Sequence, residues 1–446
     1  MIAPVAACLL AVVAAQATSP EPPPAGSTTS AADVDTQKAS GTDLGARFTD
    51  PPETGIPMQP YATSPGKEAG GVAMDLGVSS LFRARTLSTT DSSVLWGTDV
   101  EVTPGASLLV VLPTFKMSTG YAARLTMPLN TTGSALAVLS SAYLKADWQV
   151  APLWTLTASG TGVFGQNSQL LPATTPGGSG PPPATLDPVR TFETYPYVSL
   201  NAFLRASTVL TQRSRLSLSA GYQDVGGVGS GGAAAQPRTW GPMGDVAWSF
   251  RASPATTLTT TGSVVDSMLT GNLYILLGTV EESWNQVWTP DLETTLSAGL
   301  AASNTDSITF LSVGHLLPVA AARVRFYTDE LHQFRLALDA TLAPYVDTYV
   351  QVSYQRLTGT ASLDWYPTRD TFVGAYISAA WVPFSVRAPE AYGTAGASFG
   401  WTFWKVFTAG AGAFTQTQLQ GPSLGNGAFR QWSIYGSLTL RDHLQF

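Results

Sequence analysis

The chain has 446 residues, enough for one large barrel or two to three ordinary domains. Only 12% of residues are charged and 44% are hydrophobic, yet beyond the N-terminus no 18 apolar residues run together. That excludes spanning helices and an ordinary soluble surface alike. The net charge of -7 argues against nucleic acid as a partner.

Met1 to Ala17 reads as a secretory signal. Leu9, Leu10, Ala11, Val12 and Val13 form a short apolar core, and Ala15-Gln16-Ala17 is a small-x-small cleavage site, although a basic leader is missing. Cys8 is the only cysteine. It lies inside the apolar run, so Val5-Ala6-Ala7-Cys8 reads as signal core rather than lipid anchor. The mature chain then has no disulfide and no thiol chemistry.

Residues 18–70 read as a periplasmic linker rich in Pro, Ser, Thr and Ala, including Pro20, Pro22, Pro23, Pro24, Pro51 and Pro52. Nothing in it is periodic, so it buries too little to offset its ordering entropy. A plug or a docking segment for a periplasmic partner is the sharper reading of the same stretch.

Residues 71–446 repeat one unit: a strand, a short turn with Pro or charge, and an alternating strand. After Ala151-Pro152-Leu153-Trp154, the residues Leu156, Ala158, Gly160, Gly162 and Phe164 share one face, and Thr155, Thr157, Ser159 and Thr161 share the other. Further short turns are expected at Val102-Thr103-Pro104-Gly105, Thr211-Gln212-Arg213-Ser214, Ala252-Ser253-Pro254-Ala255, Trp288-Thr289-Pro290-Asp291, Thr328-Asp329-Glu330, Trp365 to Asp370, and Trp404-Lys405. Eight such turns at roughly 36 to 60-residue spacing suit paired strands of about ten residues plus a longer loop. With both termini on the turn side, the expectation is an all-β, antiparallel, up-and-down transmembrane β-barrel of about 18 strands. A count of 16 follows if Ala106 to Asn130 is one strand and a loop. The longer connections include Gly165 to Arg190 and Asp224 to Gly241. Trp148, Trp154, Trp284, Trp288, Trp365, Trp401, Trp404 and Trp432 fall mostly near turns or strand ends, as an interfacial girdle requires.

Parity also assigns an interior. An Arg at mid-membrane on the lipid face costs about 2–4 kcal/mol, so charged positions belong inside. The expected pore-lining residues are Arg205, Arg215, Arg323, Arg325, Arg335, Asp339, Asp364 and Arg441, with His443 beside them. They read either as a selective wall for anionic or sugar-like solutes or as an Arg–Asp network tying strands together. Near Gln355 and Arg356 the alternation slips, which predicts a bulge.

The chain ends Gln431-Trp-Ser-Ile-Tyr-Gly-Ser-Leu-Thr-Leu-Arg-Asp-His-Leu-Gln-Phe446, apolar on the even positions except Asp442 and polar on the odd ones. This resembles the closing strand of Gram-negative outer-membrane barrels. The resemblance implies that Leu438, Leu440, Leu444 and Phe446 are read by the barrel assembly machinery, that outer-membrane lipid surrounds the barrel, and that both termini are periplasmic. Asp442 departs from the pattern. In size the chain resembles porins and the stand-alone polysaccharide-export barrels of about 18 strands, which sit over a periplasmic export protein.

No catalytic, cofactor or metal motif is readable. The histidines are His315, His332 and His443, and only His315 with Asp306 merits a test as a hydrolase pair. The expected function is a conduit for a hydrophilic, saccharide-like solute. The alternatives are a side-chain-filled barrel that serves as an anchor and, third, an outer-membrane hydrolase.

Overall fold

The computed structural model describes residues 71–89, 94–129, 136–168, 194–229, 238–269, 273–305, 315–328, 334–347, 352–368, 370–382, 390–404, 406–420 and 429–445. Residues 1–70, with the signal and linker readings, lie outside them, as do Glu330, His332, Lys405 and Phe446.

Eighteen strands follow one another. They are β1 (Gly71–Thr89), β2 (Val94–Leu112), β3 (Phe115–Pro128), β4 (Ala137–Ala151), β5 (Trp154–Ser168), β6 (Thr194–Thr211), β7 (Ser214–Gly227), β8 (Thr239–Ser253) and β9 (Thr256–Leu269). Then come β10 (Leu273–Thr289), β11 (Leu292–Thr305), β12 (His315–Tyr327), β13 (Phe334–Asp347), β14 (Val352–Thr368), β15 (Thr371–Val382), β16 (Glu390–Phe403), β17 (Phe407–Gln420) and β18 (Phe429–Gln445). Each pairs antiparallel with its neighbours in sequence, and β1 pairs with both β2 and β18, so the sheet closes on itself. Closure leaves no edge strand to be capped. Among the described residues no helix is long and apolar enough to cross a membrane; a barrel crosses with strands.

The short turns gather at one end, between β2 and β3, β4 and β5, and so on to β16 and β17. Several carry a register shift beside the turn, at Gln149/Ala151, Val209/Thr211, Arg251/Ser253, Val287/Thr289 and Trp365/Thr368. The longest connections, β5–β6 and β7–β8 among them, lie at the other end. One expected turn is wrong. Val102 to Gly105 lies inside β2, and the hairpin turns at Pro113-Thr114. Pro104 has no amide to give. The β1–β2 register runs unbroken past it, but the β2–β3 pairing is interrupted between Val102↔Leu125 and Gly105↔Ala122. With β2 and β3 both formed, the count is 18 and not 16.

Alternation sorts the wall. Even positions of β18 and β1 point outward, among them Trp432, Ile434, Leu438, Leu440, Leu76, Val78 and Phe82, all exposed. Odd positions there carry Ser433, Tyr435, Ser437, Thr439, Ser79 and Arg83. The same rule holds around the barrel, so large apolar side chains such as Leu204, Val264, Val280, Leu300, Leu316 and Ile377 are exposed on the outside. A soluble protein does not present a continuous apolar belt of this extent.

Aromatic rings mark both rims. At the short-turn end stand Trp148, Trp154, Trp284, Trp288, Trp365, Trp401 and Trp404. Trp404 is 80% exposed, in a left-handed conformation with φ 53°, and packs edge-on to Phe403 and Phe407. Trp96, Trp240, Trp381 and Trp432 stand toward the opposite rim, the first a few residues inside β2. Trp432 thus belongs to a second girdle, where Arg430 lies 5.0 Å over its ring.

Inside the barrel, rings lie over glycines directly across the ladder: Tyr143 over Gly120, Phe203 over Gly221, Tyr376 over Gly396 and Tyr435 over Gly412. A Cβ at these glycines would meet the ring, so the missing side chain is what admits it. No bulge exists at Gln355 and Arg356, where the β13–β14 register is continuous. Gln355 points outward, and its Nε2 donates to the Pro318 carbonyl at 2.5 Å. That group is available because β12–β13 pairing ends at Ala320↔Leu342.

Candidate functional site

The inward face of the wall is the candidate site. One cluster of buried charges sits on the first three strands. Arg83 and Asp99 face each other in register on β1 and β2. The Arg83 guanidinium donates to both Asp99 carboxylate oxygens, at 3.1 and 3.3 Å, a forked pairing. The same guanidinium stands 3.7 Å from Glu101, and Thr103 Oγ1 donates to the other Glu101 oxygen at 3.5 Å. Arg124 on β3 adds a second positive charge that interacts with Glu101. Asp99 is 0% and Arg83 8% exposed, so this cluster holds its charges against one another rather than against water.

Expected lining residues form two further groups. Arg205 on β6 lies 4.0 Å from Asp245 on β8, and Ser219 on the strand between donates to the same carboxylate. On β12 and β13, Arg323 faces Asp339 in register and its Nε donates to that carboxylate. Arg325 faces Glu293 on β11, which also accepts from Asn285 Nδ2 at 2.6 Å. Arg335 faces Asp364 in register, interacts with its charge, and lies 5.9 Å from the Tyr327 ring. Arg215 is exposed at the short-turn end and faces Ser249. Arg441 sits opposite Gly77 in the ladder, and its side chain lies outside the described set, as does that of Leu444.

Most of these cations therefore sit beside a carboxylate on a neighbouring strand. Such pairs are the contacts that the Arg–Asp network reading of the sequence describes. Partly exposed pairs such as Arg323–Asp339 are worth little in stability; their effect is to fix where charge lies along the passage.

The inward wall is not uniform in depth. Toward the long-connection end it is buried: Leu139, Val163, Tyr195, Tyr197 and Val225 form one cluster, and Leu277, Ala301 and Val319 another. Toward the short-turn end, inward residues such as Lys145, Ser159, Arg205 and Arg215 are half-buried or exposed. Inward side chains thus pack more closely in the half nearer the long connections. A third sector, along the middle of β15–β18 and short of Arg441, is neutral. Thr394, Ser433, Ser437 and Thr439 carry hydroxyl oxygens that are buried and make no hydrogen bond among the described residues, in the same sector as the Tyr376 and Tyr435 rings.

Sequence reasoning missed Arg83, Asp99, Glu101 and Arg124, and it missed the inward tyrosines. It also missed Asp224, near the long-connection end of β7, and Arg238, the residue before β8, paired at 2.5 Å. The Asp224 bond raises the Arg238 pKa above its ordinary value. Among the described residues no group of three His, Cys, Asp or Glu side chains could hold a metal ion. His315 opens β12 opposite Ser303 and His443 faces Asp75; both side chains, and Asp306, lie outside the described residues.

No protein-family model matches the sequence, and no curated protein matches it. Solved structures resemble it in outline. OccAB4 of Acinetobacter baumannii is 7% identical with TM-score 0.46, covering 84% of this chain and 98% of that one. OpdK of Pseudomonas aeruginosa, solved with vanillate, is 9% identical with TM-score 0.45, covering 83% and 99%. The FrpB iron transporter of Neisseria meningitidis is 7% identical with TM-score 0.47, covering 84% and 82%. On its own strand order, closure and outward apolar belt, the chain is an 18-stranded β-barrel of the outer-membrane kind.

Proposed function

We propose that the protein is an outer-membrane channel that passes small hydrophilic solutes, with the short-turn end and both termini in the periplasm. The observation that carries this reading is the closed wall of 18 strands, apolar outside and lined with hydroxyls and paired charges inside. A barrel of that size leaves an aqueous interior unless it is filled. Saccharide-like solutes suit the neutral sector, where sugar faces match the Tyr376 and Tyr435 rings on the inward face. In this reading the protein is not an enzyme and binds no cofactor. Leu438, Leu440, Leu444 and Phe446 are, in this reading, the residues that the assembly machinery reads, and residues 18–70 offer the docking segment that an export partner would need.

A liposome-swelling assay tests the solute class. Neutral mono- and disaccharides are expected to enter faster than anionic or cationic solutes of equal size. Equal rates for all three would remove the saccharide preference, and faster entry of anions would replace it. Polysaccharide export predicts instead that deletion traps polymer inside the cell.

A second reading is favoured by the buried outer half of the wall. In this reading a barrel whose inward side chains pack together there conducts weakly and serves as an anchor, or opens only with a partner.

A further inference from the structure

We propose that the outer wall of β10 carries a binding site for one phospholipid, whose ammonium headgroup is held between the Glu282 carboxylate and the Trp284 indole. The proposal rests on the lipid-facing assignment of the outer wall and not on solute passage.

Glu282 is outward by register: it pairs with Ala298 on β11 and Thr260 on β9, both outward positions. Val280, Leu296 and Leu300 surround it on the same face, all exposed. Asp224 and Asp266 stand near the long-connection ends of their strands and Asp442 near the end of β18, but Glu282 lies within the apolar band. An ionised carboxylate there is costly unless it is paired. Thr260 Oγ1 donates one hydrogen bond at 2.6 Å, which leaves most of its acceptor capacity unmet.

The next outward positions toward the short turn are Trp284, Gln286 and Trp288. The two indoles meet edge to face, 6.0 Å apart at 87°. Trp288 Nε1 donates to Thr294 Oγ1 at 2.8 Å, and Gln286 accepts from Thr256 Oγ1 at 2.7 Å, so the row is fixed from both neighbouring strands. A carboxylate beside a fixed indole attracts a compact cation: the carboxylate by charge, the ring face by its quadrupole.

The cation does not come from a second copy of this wall. Among the described strands, outward positions in the half nearest the short turns carry no Lys or Arg, and Arg238 and Arg430 both stand at the opposite rim. A headgroup bearing an ammonium supplies the charge at the height of the aromatic belt, and an anionic headgroup would be repelled.

The test is lipid retention measured by native mass spectrometry. The barrel is refolded into bilayers of equal phosphatidylethanolamine and phosphatidylglycerol and then extracted. The wild type is expected to keep phosphatidylethanolamine by about three- to tenfold, the scale of one cation–π contact with one exposed ion pair. Glu282→Gln is expected to abolish that preference and Trp284→Leu to weaken it, while both variants keep the gel shift of the folded barrel. Equal retention of the two lipids by the wild type, or a preference untouched by Glu282→Gln, overturns the proposal. Cross-linked dimers that depend on Glu282 overturn it in favour of a second copy. Failure of the wild type to insert into any bilayer overturns the membrane reading as well, whereas insertion without lipid preference overturns this site alone.

Discussion

Ile377→Arg is expected to lower the free energy of folding into a bilayer by about 2–4 kcal/mol, the cost of an arginine at mid-membrane on a barrel's lipid face. Ile377 is 61% exposed and stands in the middle of β15, pointing outward between Ala375 and Ala379. In a soluble protein an exposed side chain of this kind could be replaced within about 0.5 kcal/mol. The neighbouring Ser378→Arg supplies the contrast, since it points inward and faces Thr394 and Thr360. Reversible urea unfolding in lipid vesicles reads both. A large loss at 377 with a small one at 378 is the signature of lipid outside and water inside. Equal, small losses at both would mean that the apolar belt faces no lipid.

The second large effect is expected at the buried charge cluster. Arg83→Met removes the cation that Asp99 and Glu101 share, leaving two buried carboxylates with Arg124 as the remaining positive charge of the cluster. Removing one member of a buried pair costs about 3–5 kcal/mol, because the remaining charge loses its compensation. Arg323→Met gives the comparison: its pair with Asp339 is about a quarter exposed on each side, and its loss is expected to cost no more than about 1 kcal/mol. The same unfolding titration measures both. A loss at Arg83 no larger than at Arg323 would mean that water reaches Asp99 in the folded barrel.

Much of the fold was legible because the side-chain period of a strand is two. In 431–445 every odd position is polar, and the ladder with β1 places that set beside Ser79 and Arg83. The strand count followed from the short turns, most of which the sequence marks with Pro, Ser or charge. Where it failed, turn chemistry misled. Pro104-Gly105 has the residues of a turn but sits in a strand that tolerates a missing amide on the β3 side. Pro113-Thr114, the real turn, is flanked by apolar residues that read as strand. That single error dissolved β2 in the sequence reading, and with it the facing of Arg83 to Asp99 and Glu101. Gln355 misled in the opposite sense. A polar residue on the outward face suggested a slipped register, whereas it meets a carbonyl left over where β12 and β13 part. The lining arginines could be assigned to a face by parity, but their partners could not. Arg323 with Asp339 and Arg205 with Asp245 depend on inter-strand register, which no local pattern encodes.

Single-channel conductance of the refolded barrel, with and without residues 18–70, tests the central claim most directly. A hydrophilic passage through an 18-stranded wall predicts discrete, steady current steps in at least the truncated form, and steps in both forms if the N-terminal segment stays clear of the lumen. Silence in both forms, from protein shown by gel shift to be folded and inserted, would contradict the channel and leave a filled barrel in its place.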